Sequence, residues 1–381
     1  MKTALTRAVQ NIYPSRELLE KKLAGGDKLR IYLGIDPTGP TLHIGHGVVL
    51  LKLRELQDLG HQIILLIGDF TAMIGDPSDK TAARKKLTKE EVLANCKNYV
   101  AQAGKIIDVD KTEIRFNSEW LGKMNFADVL ELAANFTVQQ MLERDMFEKR
   151  LENKQPIYLH EFFYPAMQGY DSEALRVDAE VGGNDQTFNM LAGRTLMSKQ
   201  GKEKFVMSVK LLTDPTGKKM GKSEGNMVTM EDSPESMFGK VMSWPDTMME
   251  TAFEICTRVP ADEYKKITEG NPLEAKLALA GAITKIYHGE TGAKEGREYF
   301  AATIQNKELP TDITEVTAEK GDALSEIILK HKLVASKGEF TRLVKEGGVQ
   351  INGEKLHDPF YKISEPITVK IGKLRYLKIL V

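Results

Sequence analysis

Two short apolar runs, Ile31-Tyr32-Leu33-Gly34-Ile35 and Ile63-Ile64-Leu65-Leu66-Ile67, bracket a stretch whose apolar residues recur at helical spacing. Each run has the length of a buried strand. Between them Val48, Val49, Leu50, Leu51, Leu53, Leu56 and Leu59 mark a helix over 47–59, which Gly60 stops. Strand, helix, strand is a βαβ unit, so the sheet is expected to be parallel and the crossover right-handed. Ligands are then expected at the carboxyl ends of its strands.

That edge is rich in chemistry-bearing residues. A loop punctuated by Pro37, Gly39 and Pro40 leads into His43-Ile44-Gly45-His46 at the start of the helix. A helix start offers free N–H groups and a partial positive charge, which suits a phosphate. At spacing i, i+3 the two imidazoles can point the same way, and Gly45 lets a ligand approach the backbone. Two polar residues in a loop is the ordinary alternative, and the strand–loop–helix setting weighs against it. The loop after the second run, GDFTAMIGDPSDKTAARKK, brings Asp69, Asp76, Lys80 and Arg84 to the same edge. Residues 213–226, TDPTGKKMGKSEGN, cluster Lys218, Lys219 and Lys222. Taken singly, that cluster reads as a solvated basic loop. No GxGxxG follows either strand and no GxxxxGK[ST] occurs, which argues against the common dinucleotide fold and the P-loop.

Further along, residues 120–151 carry a helical pattern with more apolar positions than a surface helix needs, which suits core or a subunit interface. In 160–188, Tyr164, Gln168 and Asp171 fall on one helix face, and Val181 to Asp185 reads as a strand end turning into a helix. Residues 1–24 read as helical, with Leu18, Leu19 and Leu23 on one face. From 231 to 306 the pattern is mostly helical, and 310–320 reads as a polar linker. The tail, 321–381, reads as a helix pair (323–330 and 337–346) followed by short strands at 349–353, 368–371 and 375–378.

A formal charge of −1 announces no global nucleic-acid field, yet residues 321–381 hold eleven Lys/Arg against seven Asp/Glu, 11 − 7 = +4. An RNA partner would meet that local patch. Two cysteines exclude a disulfide framework and a cysteine-based zinc site. The first residues lack the apolar core of a signal peptide, and no apolar run reaches the length of a membrane span, so a cytoplasmic location is expected.

Taken together, the motifs resemble a known family. HIGH at 43–46 and KMGKS at 219–223 are similar to the two signatures of class I aminoacyl-tRNA synthetases, the second usually written KMSKS. YLGIDPT…LHIGH, IGDPSDK, EFFYPAMQGYD and VGGNDQ resemble, in the same order, blocks of the bacterial tyrosyl-tRNA synthetases. The resemblance covers essentially the whole chain. It implies a doubly wound, parallel-sheet, Rossmann-like catalytic domain over 1–230 with a dimerisation insertion near 120–150. An α-helical anticodon-side domain over 231–318 and a small α+β RNA-binding module over 319–381, like that of a small-subunit ribosomal protein, would follow.

By position, the resemblance assigns Tyr32 and Asp171 to the tyrosine hydroxyl, and Asp76, Tyr164 and Gln168 to its ammonium group. Gly34, Asp36, Thr38, His43, His46, Gly183, Asp185 and Gln186 match the ATP and adenylate site. Lys80 and Arg84 match a mobile phosphate-contacting loop, and Lys219, Lys222 and Ser223 the second signature. The implied activity is ATP-dependent attachment of L-tyrosine to tRNA(Tyr) by way of a tyrosyl adenylate, with Mg²⁺ accompanying ATP, in a homodimer. Such a reaction needs alignment and cations where phosphate charge builds up, and no nucleophile from the protein. Three positions depart from the family pattern: Gly221 replaces a Ser of the second signature, VGGNDQTFN replaces the commoner GGSDQWGN, and Glu180 stands where many members have Gln. Two other readings fit fewer of these features: a HIGH-type nucleotidyltransferase that needs no RNA, and a non-catalytic RNA-binding protein that has kept the fold.

Overall fold

The computed structural model describes residues 3–78, 87–214, 217, 227–305, 313–331, 333–372 and 375–381. They form two compact units, 1–233 with 240–293 and 234–239 with 294–381.

The first unit is built on a six-stranded sheet of β1 (Val9–Tyr13), β2 (Arg30–Ile35), β3 (Gln62–Ile67), β4 (Thr112–Phe116), β5 (Ala179–Gly183) and β6 (Phe205–Val209). Their order is β1-β6-β5-β2-β3-β4, with every neighbouring pair parallel except β1 and β6. The two apolar runs are β2 and β3, in the register Ile31↔Ile63 to Ile35↔Ile67. Ile63, Ile64, Leu65, Leu66 and Ile67 are all buried, as strands covered on both faces must be. The strand order reverses at β2: one half runs to β3 and β4, the other to β5 and β6. The crevice outside the carboxyl ends of β2 and β5 is thus the topological switch point where such sheets bind ligands.

The helix after β2 spans Ile44–Asp58, one turn earlier than the apolar spacing alone marks. Strand β1 is a correction to the helical reading of 1–24. Among the described residues of that stretch the one α-helix is Arg16–Ala24, opened by Ser15, whose side chain accepts the Leu18 N–H, and Thr3–Leu5 is a single 3-10 turn. Val9–Tyr13 instead pairs with β6 at the sheet edge, where backbone pairing decides and side-chain periodicity is weak. Residues 120–151 are also broken up. Helices Ser118–Leu121, Phe126–Ala133, Val138–Leu142 and Asp145–Glu152 replace one pattern, because Asn125 and Thr137 open capping boxes with Asp128 and Gln140. Farther on, Met249–Cys256 and Ala261–Thr268 pack together, with Phe253 stacked on Tyr264 at 5.9 Å. The Arg7 guanidinium donates to the Phe253, Glu254, Thr257 and Val259 carbonyls, satisfying a helix end that lacks partners of its own.

The second unit contains the tail. Its five strands are β7 (Glu315–Thr317), β8 (Val349–Ile351), β9 (Glu354–Lys355), β10 (Ile367–Ile371) and β11 (Arg375–Leu380), in the order β7-β11-β10-β8-β9. Helices Leu324–Lys330 and Lys337–Lys345 complete it around a core of aliphatic residues and Phe340. Strand β7 lies inside the stretch read as a linker; it is a three-residue edge strand, parallel to β11, too short to show alternation.

Candidate active site

One cavity of about 690 Å³ opens at the switch point. Its walls come from the carboxyl ends of β2, β5 and β6, from the loop after β3, from the start of the Ile44–Asp58 helix and from the Phe163–Leu175 helix.

The two histidines are locked to the helix start. His43 is its N-cap and accepts the Gly45 N–H at Nδ1, 3.1 Å; His46 Nδ1 accepts the His43 N–H, 3.1 Å. The rings lie 4.0 Å apart. An Nδ1 that accepts carries no proton, so each neutral ring holds its proton on Nε2 as a donor. Gly45 is required: a Cβ there would stand 2.9 Å from the His43 ring. The preceding loop, which bears Thr38, is braced by Asn95 on the Pro37 carbonyl, Tyr99 on the Gly39 carbonyl and Gln102 on the Leu42 N–H. Burial pushes the Tyr99 phenol up to about 12, so it stays a donor.

At the far end Asp171 is buried and receives the Trp120 indole N–H at 2.8 Å and the Asn117 amide at 3.3 Å. Burial raises its carboxyl well above the ordinary carboxylate range, against the pull of those two donors. The Tyr32 hydroxyl lies 3.0 Å from Ser172 Oγ and 3.3 Å from the Gln168 carbonyl. Burial, then Glu180 and Asp171, hold the Tyr32 phenol far up, and burial with Asp36 and Asp76 does the same for Tyr164. Tyr164 donates to Asp36 Oδ2 at 2.8 Å, and Asp36 Oδ1 takes the Thr71 hydroxyl at 2.7 Å. Asp76 accepts from Gln186 at 2.7 Å and from Ser78, with Arg144 3.7 Å away. Burial lowers the Arg144 guanidinium to about 10, opposed by Asp76.

Tyr32, Gly34, Asp36, Thr38, His43, His46, Asp76, Tyr164, Gln168, Asp171, Gly183, Asp185 and Gln186, the sequence-derived candidates that are described, all line this one cavity. Lys80, Arg84, Lys219, Lys222 and Ser223 lie outside the described residues. Both flanks of the second signature reach the cavity, through Lys210 to Leu212 on one side and Met227 on the other. The returning segment is tied to the histidine loop, Ile44 N–H to the Val228 carbonyl and Met230 N–H to the Leu42 carbonyl, each 2.9 Å. The sequence reading missed Thr71, Asn117, Ser172 and Lys204, and took Trp120 for packing. Asn117 was findable, since it directly follows β4 at the ligand edge. Lys204, at the entrance to β6, carries no such signal.

The model of the class I tRNA synthetases for tryptophan and tyrosine matches residues 24–305. The chain belongs to this family. Among class I synthetases it is similar to the tyrosine–tRNA ligase of Carboxydothermus hydrogenoformans, 46% identical over 99% of this chain and 96% of that one. The tyrosine–tRNA ligase of Thermotoga maritima is 44% identical over 98% and 96%. Among solved structures, a C-terminally truncated mitochondrial tyrosyl-tRNA synthetase of Coccidioides posadasii superposes with a TM-score of 0.63 at 25% identity, covering 76% of this chain and 88% of that one. The tyrosyl-tRNA synthetase of Archaeoglobus fulgidus, at 21% identity, TM-score 0.59 and coverage of 77% and 98%, shares the synthetase fold.

Proposed function

We propose that the protein attaches L-tyrosine to tRNA(Tyr) in two steps, first joining the tyrosine carboxylate to the α-phosphate of ATP with loss of pyrophosphate, then moving tyrosine to the tRNA with release of AMP. The observation that carries this reading is the buried Asp171 opposite the histidine-capped helix start, in one cavity at the switch point. Asp171 and Tyr32 can meet a phenol hydroxyl that phenylalanine lacks, and a site built to hydrogen-bond a hydroxyl strands its own groups when that hydroxyl is missing. Tyr164, Gln168 and Asp76 meet the ammonium group. The ribose and adenine lie against Gly34, Asp36, Gly183, Asp185 and Gln186.

The carboxylate nucleophile is already ionised, so the protein supplies alignment and charge. His43 and His46 donate through Nε2 to the phosphates, Thr38 adds a hydroxyl, and Lys80, Arg84, Lys219, Lys222 and Ser223 stabilise the phosphate charge that grows in the transition state. Mg²⁺ enters with the nucleotide, carried on its phosphates. Among the described residues no cluster of three His, Cys, Asp or Glu side chains could hold a metal of the protein's own.

Functionally the chain divides into a catalytic part (1–230), a helical anticodon-side part (231–318) and the tail module (319–381), whose surplus positive charge binds tRNA phosphates. The enzyme is a homodimer through 120–150; the exposure of Phe126, Leu130 and Val138 there, 76%, 54% and 64%, supports this reading. It works in the cytoplasm; among the described residues no helix is long and apolar enough to cross a membrane. The test is amino-acid-dependent exchange of pyrophosphate into ATP across all twenty amino acids. Exchange with tyrosine alone supports the reading; exchange with tryptophan, or with none, refutes it.

A further inference from the structure

Beside the amino-acid end of the cavity lies a pair of opposite charges that the two-step reaction leaves without a task. Glu180 on β5 and Lys204 at the entrance to β6 are 2% and 0% exposed. Glu180 Oε2 accepts from the Lys204 ammonium. That ammonium also donates to the Met190 carbonyl at 3.0 Å and stands 5.7 Å from the centre of the Tyr32 ring. Space for it is reserved: a Cβ on Gly193 would lie 2.4 Å from Lys204 Nζ and 2.6 Å from Ser172 Oγ. Removing two charges from water is costly, and apolar side chains of the same volume often hold a core as well. Stability alone therefore gives a poor reason for this pair.

The second Glu180 oxygen gives a better one. Oε1 accepts the Gln168 amide N–H at 2.9 Å. A carboxylate can only accept. Gln168 must therefore turn its NH₂ toward Glu180 and its carbonyl oxygen away, and Gln168 lines the cavity. An α-ammonium group requires acceptors. β5 and β2 set this geometry, since Tyr32 and Glu180 are direct partners across the switch point.

We propose that Glu180 and Lys204 are positioning residues for amino-acid binding. Glu180 orients the Gln168 amide so that its oxygen meets the substrate ammonium, and Lys204, through its ion pair, holds the Glu180 carboxylate in place to do so. The proposal rests on the reading of Gln168 as an ammonium acceptor. The charged and titratable groups facing the pair are Tyr32 from β2, Asp171 from the Phe163–Leu175 helix and Arg194 from the Thr187–Lys199 helix. Burial draws the Lys204 ammonium down, Glu180 and Asp171 hold it up, and Arg194 opposes them.

Tyrosine-dependent pyrophosphate exchange on the full chain tests this. Lys204→Met leaves the Glu180 carboxylate buried without its ion-pair partner. Its KM for tyrosine should rise about tenfold or more, with the KM for ATP unchanged, as expected for lost ground-state binding. Glu180→Gln/Lys204→Met should recover a KM within about threefold of the parent, because the new amide oxygen can accept from Gln168 as the carboxylate does. Glu180→Leu/Lys204→Met carries no unpaired charge, so it guards against a Lys204→Met chain that does not fold; it should show the raised KM. Parental KM in that apolar double variant, or no recovery in the Gln–Met variant, overturns the proposal. Gln168→Ala separates the two readings. If it raises the tyrosine KM while the Glu180 and Lys204 variants do not, only the positioning role falls. If it leaves the KM unchanged, the ammonium reading falls as well.

Discussion

The amino-acid end of the cavity and the tail module follow opposite rules for what they bury. Around the cavity the protein hides Asp76, Asp171, Glu180, Lys204 and Arg144, each tied to partners. In the described residues of 313–381 every buried side chain is apolar, and the charges stay outside. Buried polar groups cost free energy unless paired, and pairing them fixes geometry more than it adds stability. The cavity holds its groups in place to read a small molecule. The tail keeps a plain core and offers only its surface, which suits a partner recognised by its phosphates.

The largest effect is expected at Asp171. Asp171→Ala removes the proposed acceptor for the tyrosine hydroxyl and frees the Trp120 and Asn117 donors. The kcat/KM for tyrosine in pyrophosphate exchange should fall about 10- to 100-fold, the cost of a lost hydrogen bond together with buried donors left unpaired. Parental activity in a folded variant would show that this buried carboxylate serves structure. In contrast, ending the chain before Glu315, so that β7 leaves with its sheet, should keep pyrophosphate exchange within about twofold. Charging of tRNA should weaken about tenfold, and the salt dependence of tRNA affinity should become shallower as phosphate contacts are lost. Equal loss of exchange and charging would tie the tail to the catalytic unit.

A gentler probe leaves the tail in place. Phe340 is fully buried in its core, and Phe340→Ala should destabilise that module by about 3–5 kcal/mol. Hydrogen exchange should show the tail opening while tyrosine-dependent exchange of pyrophosphate stays parental. The smallest effect is on pH dependence. Burial raises the Asp171 carboxyl well above its ordinary 3.8, so the native state keeps a proton that the unfolded chain releases. Its contribution is complete below about pH 4 and is lost as pH rises through the native value. The melting temperature of Asp171→Ala relative to the parent should therefore climb from pH 5 to pH 9. The offset for Phe340→Ala should stay level, because no titratable group lies buried among the described residues of the tail. Parallel slopes for the two variants would remove Asp171 as the source.

Both β2 and β3 were legible because a strand buried on two faces must be apolar throughout, and the helix between them because its stripe faces the sheet. Edge strands β1 and β7 were not, since backbone pairing with β6 and β11 makes them and little of that shows in side chains. The broken helices of 118–152 could have been read from the caps at Asn125 and Thr137.

Local pattern determined the βαβ frame, the histidines at a helix start and the helix face of Tyr164, Gln168 and Asp171. Those depend on neighbours a few residues apart. Only the tertiary structure decided which groups meet across the sheet. The pairing of β5 with β2 and β6 sets Glu180 beside Tyr32 and within reach of Lys204, 24 residues away in sequence. Whether a charged residue is solvated or buried against its opposite is a property of the packed neighbours, and a sequence leaves those neighbours unnamed.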